Sequence, residues 1–274
     1  MTVNLWGYRG DWSARRDRLI GAMQSEEVDV VLLQDVAERG WRPNQAGEIA
    51  YLTGYAMAYV PAQRYFPLPS ISTGLGVLSR FPISNQLETE ISPGSGLFTA
   101  GAEERRVAQR VELSLDGMSV LIYNTHFPTH PEVRTDAAQR LWRQVMQEEA
   151  VLIVVGGNFN APPEEPCIAF LQGRTPLDAQ RAELTDSWTV AGVGPAATYP
   201  VETPAQRLDY IFYQAEPTVI VQEVKTIGGH PAAFSDHLAV VATFTISPSR
   251  EPTAPFEEEP TGALEPTGGG RFGL

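Results

Sequence analysis

The stretch Val151-Leu152-Ile153-Val154-Val155-Gly156-Gly157-Asn158-Phe159-Asn160-Ala161-Pro162-Pro163 decides how the rest of the chain is interpreted. Its first five residues are aliphatic, and such a run bounded by glycines is typical of a strand buried on both faces. Because residues i and i+2 of a strand share a face, we expect the amides of Asn158 and Asn160 to face one pocket. The alternative for this segment alone is an ordinary strand-to-turn corner, where Asn and Gly are frequent.

The composition indicates a globular protein with a substantial core. The chain has 274 residues, 43% of them hydrophobic, which suits one large domain or two small ones. Its formal net charge is -13 and Lys225 is the only lysine, so tight non-specific binding of nucleic acid is not expected. Cys167 is the only cysteine, which excludes an intramolecular disulfide and a cysteine-based zinc site. A signal peptide and a membrane-spanning apolar run of about 20 residues are both missing from the pattern, so we expect a cytoplasmic protein.

Hydrophobic periodicity predicts that strands and helices alternate along the chain. The predicted helices cover residues 14–24, 44–53, 132–149 and 167–171. The predicted strands cover residues 2–6, 28–33, 55–60, 75–78, 107–115, 119–123, 151–155, 208–213, 219–224 and 238–246. Ser13 is the expected cap of the first helix, and Asp116-Gly117 is a strong hairpin signal. Residues 84–104 and the region that opens at 184–188 are interpreted as loops.

The last part of the chain differs in composition from the rest. From about Ser247 the residues are mainly Pro, Glu, Gly and Thr. Such a segment has too little apolar surface to offset the backbone entropy of ordering, about 1–2 kcal/mol per residue. We therefore expect one domain over residues 1–248 and a disordered acidic tail, rich in Pro and Gly, over residues 249–274.

Several predicted strands and two later segments carry polar side chains that hydrophobic strands do not require. These are Asn4, Gln34-Asp35, Asn124-Thr125-His126, Asn158 with Asn160, Arg207-Leu208-Asp209-Tyr210 and Ser235-Asp236-His237. Each has a structural alternative: Asp35 could cap a turn, His126 could be a satisfied core histidine, and Asp236-His237 could be a polar loop. Six such coincidences in one chain favour a common site.

The chemistry that these residue types support is hydrolysis of a phosphate ester. Asp35 and Asp236 are hard oxygen donors, which suit Mg²⁺ or Mn²⁺, and such a metal neutralises charge on phosphoryl oxygens. Two histidines and two amides can donate hydrogen bonds to the same phosphate. His237, if Asp209 lies near it in the fold, would be a histidine oriented by a carboxylate.

The ordered set resembles the endonuclease/exonuclease/phosphatase superfamily, whose founding type is deoxyribonuclease I. The family pattern runs Asn, Gln-Glu, Gly-(Ile/Val)-Leu-Ser-Arg-x-Pro-Ile, Asn-Thr-His, Gly-Asp-Phe-Asn, Arg-(Ile/Leu)-Asp-Tyr-Ile-Phe and Ser-Asp-His. Besides the motifs quoted above, this chain has Gly76-Val77-Leu78-Ser79-Arg80-Phe81-Pro82-Ile83, and the likeness covers residues 2 to about 246. The resemblance implies an α/β fold, a four-layer α/β sandwich in which two packed mixed β-sheets are flanked by helices.

The resemblance also implies roles for individual residues. Asp35 stands in the place of the metal-binding Glu, Asn4 supports the metal or its water, and Asp236 lies at the metal edge of the site. Asp209 orients His237, which stabilises the transition state. The implied catalytic residues are therefore His126, Asn158, Asn160, Asp209 and His237. The implied contacts to the scissile phosphate are His126, Asn160 and His237.

Two residues depart from the family pattern. Asp35 is one methylene shorter than the usual Glu, so its carboxylate retreats by about 1.5 Å. Asn158 replaces the Asp that usually activates the attacking water, and an amide can position water but cannot take its proton. Loss of a general base typically costs about 10²–10⁴-fold in rate. The chain is thus a low-activity or non-catalytic member, or it carries an inactivating Asp→Asn change.

Three functions remain open on this evidence. The first is a metal-dependent phosphoesterase, with Mg²⁺ or Mn²⁺, acting on a phosphorylated small molecule or a lipid-derived substrate. The second is a nuclease of the same fold, against which the acidic body argues. The third is a pseudoenzyme that binds a phosphorylated ligand or a protein without turnover. Arg105, Arg106 and Arg110 form a local basic cluster, which we interpret as a solvated face. Specificity is expected in the loops at residues 7–12, 62–74, 92–104 and 189–206.

Overall fold

A computed structural model describes residues 1–40, 43–64, 71–92 and 105–247 of the chain. The helices are α1 (Trp12–Ser25), α2 (Gln45–Thr53), α3 (Pro131–Val145), α4 (Pro166–Leu171) and α5 (Ser187–Ala191). The strands are β1 (Thr2–Asn4), β2 (Val30–Arg39), β3 (Ala56–Arg64), β4 (Ile71–Ser79), β5 (Ile83–Ser92), β6 (Arg106–Leu115), β7 (Met118–His126), β8 (Leu152–Asn158), β9 (Thr185–Asp186), β10 (Asp209–Ala215), β11 (Val219–Ile227) and β12 (Ala239–Ile246). The expected tail, residues 249–274, lies outside the described residues.

The strands form two mixed sheets. The first sheet has the order β11-β12-β1-β2-β4-β3, and the second has the order β5-β6-β7-β8-β10-β9. Strand β1 runs parallel to β2 and β7 runs parallel to β8, whereas the other neighbours are antiparallel. In each sheet the parallel pair is central, as expected of strands that are buried on both faces.

Three apolar clusters separate four layers. Leu19 and Ile49 place α1 and α2 against the outer face of the first sheet. Leu141 and Phe170 place α3 and α4 against the outer face of the second sheet. The cluster between the sheets comes from strands of both; its members include Leu32, Val77, Val111, Val154 and Ile211. The predicted four-layer sandwich is confirmed.

A buried pair of amides joins the two sheets. The Nε2 group of Gln34 on β2 donates to Oδ1 of Asn124 on β7 at 2.7 Å and to Oγ1 of Thr2 at 2.9 Å. The Nδ2 group of Asn124 donates to the carbonyls of Leu33 and Gly76, each at 3.0 Å. Since buried polar groups are costly unless hydrogen-bonded, these contacts favour one relative position of the sheets.

Helix boundaries differ from the sequence expectation where capping was misassigned. Asp11, not Ser13, caps α1, because its Oδ1 accepts the N–H of Ala14 at 3.1 Å. Ser13 lies inside the first turn. Helix α3 ends at Val145, four residues before the expected end at residue 149. Asn44, expected as the first residue of the second helix, is instead the cap of α2, and Gly54 ends that helix with a φ of +75°.

Two regions expected to be loops contain regular structure. Strand β5 covers residues 84–92 of the expected loop, while the remainder, 93–104, lies outside the described residues. The strand was missed because it forms an edge and exposes polar side chains, so no apolar alternation marks it. Its Glu88 and Glu90 pair with Arg105 at 2.6 and 2.9 Å. Likewise, β9 and α5 occupy the region expected to open a loop at 184–188.

None of the helices in the described ranges is long and apolar enough to cross a membrane.

The close approach of β7 and β8 supports a test of the fold. A Cβ at Gly157 would lie 1.9 Å from the carbonyl oxygen of Thr125, and the residue has a φ of +150°. Overpacking of this kind typically costs about 1–3 kcal/mol, so we expect Gly157→Ala to lower the free energy of unfolding by at least about 2 kcal/mol. Chemical denaturation measures this change.

Gly21 provides the matched control for that substitution. It lies inside α1, and a Cβ added there would meet no atom within 4 Å. Gly21→Ala should therefore raise the free energy of unfolding by about 0.5–1 kcal/mol. Equal effects of the two substitutions would contradict the tight contact at Gly157.

Candidate active site

Strand register brings three of the expected site residues into one row. His126 on β7 lies opposite Asn158 on β8, and Asn158 lies opposite Asp209 on β10. Directly paired residues of neighbouring strands have Cβ atoms about 4.5–5.5 Å apart. All three side chains are nearly inaccessible, with exposed fractions of 9%, 1% and 0%. We refer to His126, Asn158 and Asp209 as the site row.

The backbone leaves the sheet directly after the site row. Oδ1 of Asn158 accepts the N–H of Asn160 at 2.8 Å, and Nδ2 of Asn160 donates to the carbonyl of Phe127 at 2.8 Å. Asn160 has a φ of +51°, which Asn tolerates better than most residues. Because β8 ends at Asn158, strand periodicity does not extend to Asn160. The two amides are instead joined by a local turn.

A carboxylate orients the second histidine of the site. Nδ1 of His237 lies 2.8 Å from Oδ2 of Asp209, and the His237 ring packs against the ring of Tyr199 at a centroid distance of 4.7 Å. Burial alone would lower the pKa of His237, but the charge and hydrogen bond of Asp209 outweigh it and raise that pKa above its usual value. With Nδ1 engaged by Asp209, Nε2 is the nitrogen left to face a ligand.

The first histidine of the site has the opposite electrostatic character. Burial, together with the positive charges of Arg106 and His237, lowers the pKa of His126 well below its usual value. Its Nε2 atom lies 3.5 Å from Nδ2 of Asn158. His126 is therefore a neutral imidazole at neutral pH, while His237 keeps its proton to a higher pH than a free histidine does.

The three residues expected at the metal lie at the end of β1 (Asn4), within β2 (Asp35) and in the loop before β12 (Asp236). The Oγ atom of Ser235 donates to the carbonyl of Asn4 at 2.6 Å and approaches Oδ1 of Asp236 at 3.2 Å. Oδ1 of Asn4 accepts the N–H of Trp6 at 2.8 Å. Asp35 occupies a bulge in β2 with a φ of +51°, which turns its side chain out of the regular alternation.

Both carboxylates of this set act on the same histidine. The negative charges of Asp236 and Asp35 each raise the pKa of His237. Within residues 1–40, 43–64, 71–92 and 105–247, no group of three or more His, Cys, Asp or Glu side chains is arranged to hold a metal. Two carboxylates and the amide oxygen of Asn4 are nevertheless a hard-oxygen donor set, and Mg²⁺ usually completes such sets with water.

Arg15 is a positioning residue that sequence patterns did not indicate. Its guanidinium is buried and donates to the carbonyls of Leu5, Gly7, Arg9 and Phe234 at 2.7–3.1 Å. It therefore joins the loop after β1 to the residue just before Ser235. An arginine on a helix ordinarily suggests a solvated face, so its role depended on contacts distant in sequence.

Arg106 belongs to the site, although its sequence pattern suggests a solvated face. It lines a small pocket together with Asp35, Thr73 and His126, and its charge acts on His126. The register of the hairpin, counted outward from Asp116-Gly117, brings the start of β6 beside the end of β7. Counting residues outward from this turn would have predicted from the sequence that Arg106 lies near the end of β7.

The other two arginines of the predicted cluster have structural partners. Arg105 pairs with the edge-strand carboxylates described above, which agrees with a surface role. Arg110 is mostly buried, and its Nε lies 2.7 Å from Oε1 of Glu148. The interpretation of the cluster as one solvated face is therefore wrong for Arg106 and Arg110, because side chains of a strand alternate between faces.

Thr198 fixes the carboxylate end of the site row. Its Oγ1 accepts the N–H groups of Leu208 and Asp209 at 3.1 and 3.3 Å, and its carbonyl accepts the N–H of Leu238 at 2.8 Å. The same residue thus holds the two segments that carry Asp209 and His237. Nothing in the local sequence around Thr198 indicates this connection.

This sandwich, with histidines, amides and carboxylates gathered where its central strands end, defines a protein of the deoxyribonuclease I-like class. The sequence profile described as Endonuclease/Exonuclease/phosphatase family matches residues 1–237. The chain therefore belongs to the endonuclease/exonuclease/phosphatase family, and the resemblance seen in the sequence is confirmed. No curated protein sequence matches the chain.

Solved structures of the same family share the fold at low sequence identity. A Bacteroides vulgatus endonuclease/exonuclease/phosphatase is 18% identical, with a TM-score of 0.73 over 90% of this chain and 97% of that one. A mannosyl-6-phosphatase from Bacteroides thetaiotaomicron is 16% identical, with a TM-score of 0.68 over 89% and 98%. The human nocturnin catalytic domain is 19% identical, with a TM-score of 0.63 over 86% and 88%. At such identities the likeness shows the fold alone.

The contact between Asp209 and His237 generates a prediction about protonation. Because the folded pKa of His237 is raised, its protonated form adds stability that is present below the unfolded value of about 6.5 and is lost as pH rises through the folded pKa. Asp209→Asn should lower the pKa of His237 and remove this contribution. Imidazole resonances followed by NMR in metal-free protein measure the pKa.

The control for that experiment is Asp17→Asn, at an exposed position on α1 where the side chain pairs with Arg16. It should leave the pKa of His237 unchanged. His126 behaves in the opposite way. Its pKa in the folded protein lies below its pKa in the unfolded chain, so the folded state is favoured above the unfolded pKa, and this contribution to stability is lost as the pH falls. A pKa of His237 that is the same in wild type and Asp209→Asn would contradict the assigned contact.

Proposed function

We propose that this protein is a phosphoric ester hydrolase that depends on Mg²⁺ or Mn²⁺ and whose turnover is limited by Asn158. The observation that carries the proposal is the site row, in which a neutral histidine, an amide and a carboxylate lie side by side, with the carboxylate bound to His237. Family membership supports this reaction class. In the proposed assignment the catalytic residues are His126, Asn158, Asn160, Asp209 and His237.

Asp35, supported by Asn4 and with Asp236 at its edge, would hold the metal. When bound there, a divalent cation would neutralise charge on the phosphoryl group and on the leaving oxygen. Asp35 suits this role because its side chain is about one-quarter exposed and lies in a bulge beside His126 and Arg106. The shorter side chain than the family's Glu leaves room for a water molecule between carboxylate and metal.

His237 is proposed to bind and stabilise the phosphate. With Nδ1 held by Asp209, its protonated Nε2 can donate to an equatorial phosphoryl oxygen, where negative charge develops in the transition state. His126, as a neutral ring, donates one hydrogen bond without adding charge. Asn160 would contact the same group, and Arg106 would add a fixed positive charge at the wall of the pocket. These groups are held in place before the substrate arrives.

Asn158 is proposed to position the attacking water without accepting its proton. Its oxygen already receives the N–H of Asn160, and its Nδ2 faces His126. An amide in this place preserves the geometry of the row and lacks the basicity that proton transfer needs. The proton must then pass to solvent or to another base, which accounts for a low turnover.

The proposed substrate is a phosphorylated small molecule or a lipid-derived phosphate ester. One structural neighbour is a mannosyl-6-phosphatase, which acts on a phosphorylated sugar. A nuclease of the same fold is the less favoured alternative because a body of net negative charge repels a polyanionic duplex. A pseudoenzyme that binds a phosphorylated ligand or a protein is the other alternative, and Asn158 is the observation that favours it.

The metal assignment predicts the effect of removing one carboxylate. Asp35→Ala should abolish Mn²⁺ binding, or weaken it at least about tenfold, because the substitution deletes the main charged donor. Calorimetric titration with Mn²⁺ measures the affinity. Asp17→Ala, which removes an exposed carboxylate from α1, is the matched control and should bind as wild type does. Equal affinities of wild type and Asp35→Ala would reject the assignment.

The assignment of Asn158 predicts a gain of function. Asn158→Asp should raise kcat and kcat/KM together, by about 10²-fold or more, because the restored group acts mainly in the transition state. Kinetics on a phosphoester panel with Mg²⁺ and Mn²⁺ measure both constants. The carboxylate would also face Nε2 of His126 and should raise the pKa of that ring, which NMR detects independently of activity.

Two results of that experiment would contradict the proposal that Asn158 limits the turnover of a phosphoric ester hydrolase. A raised pKa of His126 without faster turnover would place the defect elsewhere in the site, with the shortened Asp35 first. Metal binding without turnover in both proteins would favour the pseudoenzyme alternative.

A further inference from the structure

A second recess opens beside the proposed catalytic pocket. This groove has a volume of about 270 Å³, and we name it the arginine groove; the residues that define it are Trp6, Tyr8, Arg9, Asp35, Arg39 and Thr73. Asp35 and Thr73 also line the small pocket that contains Arg106 and His126. The two recesses therefore meet at the carboxylate assigned to the metal.

Within the part of the chain that the structure describes, the two arginines of the groove lack strong partners. Arg9 has 67% of its side chain exposed, and its ion pair with Asp35 is a distant contact of 4.0 Å. Arg39 is exposed and lies over the ring of Tyr8, 4.9 Å from the ring centroid. Among the described residues it forms no ion pair. In a chain of net charge -13, these two guanidinium groups at one recess are available to an anion.

The backbone that carries this recess is rigidly held. Arg15 donates to the carbonyls of Gly7 and Arg9, and Nε2 of Gln45 donates to the carbonyl of Gly7 at 2.8 Å. Tyr8 and Arg9 are therefore presented on a fixed loop. Preorganisation of this kind lowers the entropy that a ligand must overcome when it binds.

A second carboxylate besides Asp35 faces the groove and opposes the charge of the two arginines. Glu38 lines it, but its Oε2 accepts the hydroxyl of Ser72 at 2.7 Å. The charge of Asp35, in the assignment above, would be compensated by a bound metal ion. Arg9 and Arg39 then face a single opposing charge, so the groove favours an anionic group. The planar guanidinium fork binds phosphate or carboxylate through two parallel hydrogen bonds.

We propose that the arginine groove binds a second anionic group of the substrate, so that this protein prefers phosphate esters that carry another phosphate or a carboxylate. The inference rests on the proposed function, since it assigns the scissile phosphate to the catalytic pocket. A compact ring between the two anionic groups would pack on Tyr8 and Trp6. The proposal names the substrate class that the hydrolase assignment alone leaves open.

Three six-carbon sugar phosphates, two with a pyranose ring and one with an open chain, test the proposal. Glucose 6-phosphate has one anionic group, glucose 1,6-bisphosphate adds a phosphate, and 6-phosphogluconate adds a carboxylate. Calorimetry with Mg²⁺ gives the Kd of each for the full chain, and phosphate release is measured in parallel. Because charged hydrogen bonds are the strong ones, at least one doubly anionic ligand should bind about tenfold tighter than glucose 6-phosphate.

Variants locate the effect in the groove. In Arg9→Gln and in Arg39→Gln the advantage of the doubly anionic ligand should fall below about threefold, while the Kd of glucose 6-phosphate stays within about twofold of wild type. Arg143→Gln, at an exposed position on α3, is the matched control and should keep the full advantage. A gain for the bisphosphate alone identifies a phosphate site, and a gain for both ligands identifies a general anion site.

Other outcomes separate this inference from the hydrolase proposal. Equal affinities of the three ligands in wild type, or equal weakening of all three by the groove variants, would overturn the groove assignment. Phosphate release combined with such equal affinities would leave the hydrolase proposal standing. A persistent, groove-dependent advantage without phosphate release from any ligand would support the groove and overturn the hydrolase proposal.

Discussion

The hydrogen-bond ladder of β8 with its two neighbours is the constraint on which the site depends. It sets His126, Asn158 and Asp209 in one row. This order is determined by backbone register and not by contacts between the three side chains. The ladder on the β7 side requires that Gly157 come so close to the backbone of Thr125 that only a hydrogen atom fits between them. A glycine next to the key amide is thus a condition of the site's geometry rather than a simple turn residue.

A second constraint acts between the sheets. The amides of Gln34 and Asn124 form a polar contact inside an otherwise apolar interface, and each also binds backbone of its surroundings. A shift of one sheet along the other would leave these groups buried and unpaired, at a cost of about 1–3 kcal/mol for each. The contact therefore keeps Asn4 of β1 and Asp35 of β2, both in the first sheet, near the site row of the second sheet.

Sequence patterns predicted the fold well because its central strands are strongly apolar and its longer helices bury one face. They failed where position is determined by distant partners. Strand β5 has polar faces and is held by β6 and Arg105, so its own residues resemble a loop. The bulge at Asp35 lets β2 continue to Arg39, well past the apolar run that marks its start. Arg15 and Arg106 look like surface residues in a one-dimensional pattern, and only the register of strands and the path of the loop after β1 bring them to the site.

The charges of the site row explain how Asn158 can be accommodated without disturbing its neighbours. Asp209 is fully buried, and it raises the pKa of His237, whose Nδ1 lies 2.8 Å from the Asp209 carboxylate. His126 is neutral, so the amide between the two needs no counter-charge and can satisfy its oxygen with the backbone of Asn160. A carboxylate at position 158 would be a second buried anion in the row, and burial of an unpaired charge is far more costly than burial of an amide. Its compensation would have to come from a proton on His126, from Arg106 or from a bound cation. With Asn158, the site row contains no buried carboxylate other than Asp209 and needs no ligand to balance its charge. With an aspartate at this position, the charge balance of the site would depend on what is bound.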